Sequence, residues 1–240
     1  MRQSRCRREI LTRLKNEYEQ LVASQYEDNY LEAIKNFYSL AEDNLRPILN
    51  QYYPDQGSRD QAWRPCEGAL YEYAVYKCIE KVINITPNLQ DRFIVIMGEN
   101  ISETHKEQIV IRNWNEVFPD IDILIIERGS NVVKAILSCK ISLRERLTET
   151  AFWKREIEKT RNQTDIKVVF ITTDKDDELR SDTNRYILLH VIDYTFVTDP
   201  ERFRALVESY RRRYENRNDF EQLLMKVKFI DEIERFINEL

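Results

Sequence analysis

Two aspartates and a lysine set the chemistry this chain can do. Asp120 and Asp122 stand at the head of the apolar run Ile123 to Ile126. Lys140 closes a second apolar run, Val132 to Lys140, after the turn-like Glu127-Arg128-Gly129-Ser130-Asn131. The two runs read as a β-hairpin, and folding it about its turn brings Asp120 and Asp122 to the same sheet edge as Ser138 and Lys140. Side chains alternate with period two, so the aspartates share one face of their strand, and Ser138 and Lys140 share one face of theirs. Carboxylates so placed can bind Mg²⁺, which offsets the charge on a phosphorane-like transition state, while the ammonium orients or activates the attacking water. That chemistry is metal-assisted phosphodiester hydrolysis.

The stretch FPDIDILIIERGSNVVKAILSCKISLRERL, Phe118 to Leu147, resembles the PD-(D/E)XK nuclease superfamily, with Pro119-Asp120 as the PD element and Ser138-Cys139-Lys140 at the (D/E)XK position. After the lysine, Ile141-Ser142-Leu143-Arg144-Glu145-Arg146 is similar to the active-site strand of type II restriction endonucleases that carry an Arg-(Asp/Glu)-Arg element. The resemblance implies sites containing CC and GG. Arg144 and Arg146 would donate bidentate hydrogen bonds to guanine O6 and N7, and Glu145 would accept from cytosine N4. Asp120 carries the Pro-Asp signature and is the first choice as metal ligand, with Asp122, deeper in the strand, as the alternative.

Ser138 stands where the pattern has an acid, and it cannot serve as a charged ligand. In the resembling subgroup a helix supplies the missing carboxylate, and the candidates here are Glu72, Glu67 and Glu149. Glu72 is the better placed, because the offset of Glu149 from Lys140 does not match the pattern cleanly. The resemblance implies an Mg²⁺-dependent type II restriction endonuclease acting on double-stranded DNA at a short palindromic site. A homodimer follows from the symmetry of such a site, and a separate DNA methyltransferase would protect host DNA. Two alternatives stand beside this reading. One is a repair or structure-specific nuclease of the same superfamily, and the other a non-catalytic DNA-binding protein with a decayed nuclease core.

The elements that must position these residues come from periodicity. Ile10, Leu14, Leu21 and then Leu31, Ile34, Phe37, Tyr38 recur at helical spacing, predicting two helices broken near Asp28-Asn29. Pro47, Pro54 and the polar Asp55 to Asp60 read as a linker, and a helix is expected from near Pro65 to about Ile83. Phe93 to Met97 reads as a buried strand, leading into a polar segment, Gly98 to Gln108. After the hairpin we expect a helix over 148–161, strands over 166–172 and 186–192, and helices over 200–214 and 220–240. This order predicts an α/β fold with a restriction-endonuclease-like core, a mixed β-sheet flanked by helices, and helical N- and C-terminal regions. The expected organisation is a helical region 1–60, a nuclease core 61–200 and C-terminal helices 201–240 packed on the core as one compact domain.

Composition excludes other classes. The four glycines, at 57, 68, 98 and 129, are too scattered for a phosphate-binding loop. Cys6, Cys66, Cys78 and Cys139 include no Cys-x-x-Cys pair, and His105 and His190 are the sole histidines, so neither a zinc site nor a disulfide framework is expected. No apolar run approaches a membrane span, and the basic N-terminus lacks a signal-peptide core, so a soluble, cytoplasmic protein is expected. The net charge of −5 opposes generic nucleic-acid binding, yet Lys134 to Arg161 carries eight basic and four acidic residues. Cys139 faces away from Lys140 and reads as core. His105, in a loop, and His190, in a strand, read as structural, as do Trp63, Trp114 and Trp153, and Arg211-Arg212-Arg213 reads as a solvated helix face.

Overall fold

The structure, a computed structural model, describes residues 6–112, 114–143, 146–160 and 165–240. The chain divides into two compact units, Met1–Cys78 and Ile79–Leu240.

The first unit is helical. Helix α1 (Arg8–Tyr26) ends where Glu27 and Asp28 both take left-handed φ, 52° and 61°, which is the break the sequence predicts. Helices α2 (Tyr30–Lys35) and α3 (Phe37–Ser39) come next, then a π-helical stretch (Leu40–Leu45) and a 3-10 helix (Arg46–Gln51). Helix α4 (Gln56–Ile85) begins at the stretch that reads as a linker and carries Pro65 in its interior. The Asp55 carboxylate caps it, accepting from the Ser58 N–H at 2.7 Å, and this local hydrogen bond sets a start that proline alone does not mark. Ile10, Leu14, Tyr18, Phe37, Leu70 and Tyr71 are buried together with Val75. A disulfide joins Cys6 to Cys66 over a Cα separation of 4.7 Å, where no disulfide framework was expected. The pairing joins the residue two before α1 to α4, a proximity that sequence spacing does not reveal. Cys78 and Cys139 are buried and outside any disulfide.

The second unit is built on a six-stranded sheet whose strands lie in the order Phe93–Met97, Ile123–Glu127, Val132–Lys140, Lys167–Thr172, Tyr194–Val197 and Val227–Phe229. Helix α5 (Pro87–Arg92) leads into β1 (Phe93–Met97), and α6 (Glu103–Ile109) replaces the polar, irregular segment expected there. Ser102 caps α6, so His105 lies on a helix and is buried rather than in a loop. A small hairpin comes next, β2 (Ile111–Arg112) with β3 (Glu116–Val117), and then β4 (Ile123–Glu127) and β5 (Val132–Lys140) form the expected antiparallel hairpin. Helix α7 (Arg146–Thr160) crosses back to β6 (Lys167–Thr172), which runs parallel to β5.

The 186–192 segment is a correction: it lies in α8 (Asp182–His190) and the turn after it, so His190 is helical, and the strand is β7 (Tyr194–Val197). Ile187, Leu188 and Leu189 are consecutive buried residues, a run whose periodicity does not separate a strand from a buried helix; the Ser181 side chain, accepting from the Asn184 N–H, decides for helix. Helix α9 (Pro200–Tyr214) lies where expected. The 220–240 stretch is divided into α10 (Phe220–Lys226), β8 (Val227–Phe229) and α11 (Ile233–Asn238), because β8 completes the sheet by pairing with Thr195 to Val197. The fold is the expected mixed sheet flanked by helices. One face packs Leu124, Ile126, Ile136, Val168 and Phe170 against α7, α8 and α9 through Leu147, Leu188 and Leu206. On the other, Phe196 meets Phe236 of α11 with ring centroids 5.6 Å apart. Among the described residues no helix is long and apolar enough to cross a membrane.

Candidate active site

The register Ile123↔Leu137 between β4 and β5, carried one residue outward, sets Asp122 opposite Ser138. Asp122 is 8% exposed. Its Oδ2 accepts the Cys139 N–H at 2.7 Å, and the Lys140 ammonium reaches both carboxylate oxygens, Oδ2 at 2.7 Å and Oδ1 at 3.0 Å. Burial pushes the Asp122 carboxyl above its ordinary range, while Lys140 and the Cys139 N–H pull it down. Asp120 is set outward. Its side chain is 57% exposed, with Oδ2 at 4.0 Å from Lys140 Nζ and 3.9 Å from Arg146 Nη1.

Ser138 has a different part from that of an acid. Its hydroxyl accepts from the buried Thr150 hydroxyl at 3.2 Å, fastening α7 to the strand that ends in Lys140. With α7 so held, Asp120, Ser138, Lys140, Arg146, Glu149, Thr150 and Trp153 line one recess. The structure therefore brings together Asp120, Asp122, Ser138, Lys140, Arg146 and Glu149. Glu72 and Glu67 stand on α4 in the first unit, where Glu67 is buried. Arg144 and Glu145 lie outside the described residues.

Three supports of the site carry no sequence signature that we recognise as catalytic. Gly98, just beyond β1, donates its N–H to the Asp122 carbonyl at 2.8 Å, and a Cβ there would stand 2.0 Å from the Ile121 carbonyl oxygen. Only glycine lets the two backbones come so close, and a solitary glycine at a strand end is the signal that could have found it. Beyond Lys140 the Ile141 carbonyl accepts from the Thr173 hydroxyl at 2.9 Å and from the Lys175 N–H at 3.3 Å, holding the strand end after the β-ladder stops. Trp153 borders the recess instead of merely filling the core.

Among the described residues no group of three or more His, Cys, Asp or Glu side chains is arranged so that it could hold a metal ion. The donors present are nonetheless of the kind a hard divalent cation takes. Asp120 and Glu149 border the recess and Asp122 lies beside it on Lys140, and such an ion is commonly held by one or two carboxylates together with waters and substrate phosphate oxygens.

Comparison with solved structures finds a likeness to the restriction endonuclease PspGI in complex with its substrate DNA, with a TM-score of 0.58 over 94% of this chain and 92% of that one. At 14% identity the likeness is one of fold. A Methanocaldococcus jannaschii protein named as the putative type II restriction enzyme MjaVIP is 26% identical over 151 residues, 58% of this chain and 67% of that protein. A Helicobacter pylori protein named as the probable type II restriction enzyme HpyAORF263P is 43% identical over 63 residues, 26% of this chain and 33% of that protein. Residues 100–223 match the family described as BsaWI restriction endonuclease, type 2, a span that holds β4, β5, α7 and every residue lining the recess. The chain belongs to this family of type II site-specific endonucleases.

Proposed function

We propose that the recess beside Lys140 is where this endonuclease hydrolyses a phosphodiester of duplex DNA, with Mg²⁺ as cofactor. The observation that carries the reading is the buried Asp122 carboxylate, gripped by the Lys140 ammonium at the sheet edge that Asp120, Glu149 and Arg146 also border.

One or two of Asp122, Asp120 and Glu149, with waters and substrate phosphate oxygens, would hold the divalent ion, which when bound offsets negative charge on the scissile phosphate. Asp122 also aims Lys140, whose ammonium has three N–H bonds and can orient the attacking water and a phosphate oxygen while still donating to Asp122. Arg146, on the rim, adds positive charge facing the phosphate. The buried position of Asp122 and Lys140 raises the strength of each of these interactions over its value in water.

Arg144, Glu145 and Arg146 are proposed to read base edges in a palindromic site containing CC and GG, two copies of the element serving two half-sites in a homodimer. A methyltransferase of the same specificity would protect the host. The test is digestion of a sequenced phage genome by the purified protein with Mg²⁺, with Ca²⁺ and with chelator. Discrete fragments in Mg²⁺ alone, whose ends map to one short palindrome, are the expected result. Cleavage without a fixed sequence, or cleavage unaffected by chelator, overturns the reading.

A further inference from the structure

The sheet gives Lys140 little lateral support. Strand β4 pairs with β5 only as far as Ile123↔Leu137, so Lys140 lies three residues beyond the last antiparallel pair. On the other side β6 pairs with β5 up to Lys140↔Thr172, where that ladder also ends. An ammonium on a flexible four-carbon stem is aimed only as well as the backbone that carries it.

The exit of β6 takes over where the ladder stops. Its residues direct three donors at the Ile141 carbonyl: the Thr173 hydroxyl at 2.9 Å, the Lys175 N–H at 3.3 Å and the Thr172 hydroxyl at 3.4 Å. Only the Thr173 contact has the length of a good hydrogen bond. Thr172, Thr173 and Ile141 are all buried, so water does not serve this carbonyl in their place. The exit is itself a fixed turn. The Asp174 N–H donates to the Thr172 hydroxyl at 2.9 Å, the Asp177 N–H to the Asp174 carbonyl at 2.9 Å, and the Thr198 N–H, from the end of β7, to the Thr172 carbonyl at 2.8 Å.

The clamped carbonyl stands between two cations of the recess. Lys140 precedes Ile141 directly, and two residues further on the Leu143 carbonyl accepts the Arg146 N–H at 2.6 Å, joining the strand end to α7. Lys140 and Arg146 both line the recess. Removing the Thr173 hydroxyl would leave a buried acceptor with two long contacts, and such a group shifts to find another donor. The strand end would move with it. Displacement of a reacting group by about 1 Å costs on the order of 100-fold in rate.

We propose that Thr173 is a positioning residue for cleavage, its hydroxyl holding the Ile141 carbonyl and thereby keeping the Lys140 ammonium beside Asp122 and aimed into the recess. The proposal rests on the recess being the cleavage site.

T173V keeps the shape of the side chain and removes the hydroxyl, whereas T173S keeps the hydroxyl. The probe is a short duplex containing a cleavage site mapped in the phage digest. Its single-turnover cleavage is measured in Mg²⁺ and its affinity in Ca²⁺, each well below the melting temperature of the variant. T173V is expected to cut about tenfold or more slowly at an affinity within about twofold of wild type, the pattern of an interaction that serves the transition state and not binding. T173S should restore most of the rate. If T173V does not fold, T173A takes its place with the same expectation. A wild-type rate in the hydroxyl-less variant overturns the inference. So does a rate that falls only in step with affinity, or a T173S as slow as T173V, since either would give Thr173 a general structural role. Failure of the site reading is separable: it would show as normal cleavage by K140A, whatever T173V does.

Discussion

Both oxygens of the Asp122 carboxylate face one ammonium, Lys140 Nζ lying 2.7 Å from Oδ2 and 3.0 Å from Oδ1. The pair is largely withdrawn from water, with side-chain exposures of 6% for Asp122 and 13% for Lys140. Neither charge would be stable there alone, since breaking a buried pair leaves an uncompensated ion at a cost of ~3 to 5 kcal/mol. Each residue is thus the condition for the other's charge.

Lys140→Ala should remove cleavage while leaving affinity for the duplex in Ca²⁺ within a few-fold of wild type. The loss expected on deleting a group that stabilises developing charge is roughly 100-fold or more. The variant should also melt lower, because Asp122 must then take a proton or stay unpaired. Paired cleavage, gel-shift and melting measurements check this, and wild-type rates would remove Lys140 from the mechanism.

The two aspartates should not be equivalent. Asp122 touches Lys140 and is buried, whereas Asp120 reaches it only at 4.0 Å. Asp122→Asn is expected to lose activity by several orders of magnitude, and Asp120→Asn by much less. Glu149→Ala should shift the Mg²⁺ dependence of cleavage to higher concentration, because Glu149 lines the recess. Glu72→Ala tested beside it decides which helix supplies the further carboxylate. Titration of rate against Mg²⁺ separates lost metal binding from lost chemistry.

The hairpin, its acidic head and its terminal lysine are legible in the sequence, because strand periodicity and a turn signal fix which residues meet. Which aspartate faces the lysine is not legible. The Pro-Asp dipeptide favours Asp120, and burial of Asp122 depends on β1 covering β4, a pairing of segments distant in sequence. Likewise α8 and β8 differ from expectation because contiguous apolar residues such as Ile187 to Leu189 suit either state, and only capping and sheet completion choose between them. The role of Ser138 becomes clear only with Thr150 across from it.

Gly98→Ala should cripple the enzyme without touching any candidate catalytic side chain. The new Cβ would sit 2.0 Å from the Ile121 carbonyl oxygen, so β1 or the Asp120-Ile121-Asp122 segment must move. Overpacking of this kind costs ~1 to 3 kcal/mol, and here the displaced backbone is the one that presents Asp122. Lower melting temperature together with a cleavage rate reduced even at temperatures where the variant is folded is the expected outcome. A folded, fully active variant would mean that the close approach does not position the site.

Asp174 gives a pH dependence of stability that can be signed. It is fully buried just beyond β6, at φ 53°, with Oδ1 accepting the Leu179 N–H at 3.2 Å and Oδ2 accepting no hydrogen bond from the described residues. Burial outweighs the Leu179 N–H and pushes its carboxyl up to about 7. An acid whose folded value lies above its unfolded one binds the extra proton in the native state, so stability falls as pH rises from about 4 to about 7. The whole shift corresponds to ~4 kcal/mol. Asp174→Asn keeps an oxygen for Leu179, tolerates the left-handed backbone and cannot ionise, so it should melt above wild type at about pH 8 and close to it at about pH 5. Parallel melting curves across pH would contradict this assignment.

Specificity supplies the last test. Arg144→Ala, Glu145→Ala and Arg146→Ala should each weaken binding to the cognate duplex by ~1 to 3 kcal/mol for every base hydrogen-bond pair removed, with much smaller effects on scrambled DNA. A phosphate contact behaves differently, lowering affinity for all sequences alike and reducing the salt slope. The distinction matters most for Arg146, whose guanidinium lies 3.9 Å from Asp120 and borders the recess, a position from which it could meet the scissile phosphate as well as a base. If Arg146 serves the phosphate, its variant should lose cleavage and salt slope together at a constant ratio of cognate to scrambled affinity, leaving base readout to Arg144 and Glu145. A constant ratio in all three variants would refute readout by this triplet and with it the expectation of CC and GG in the site.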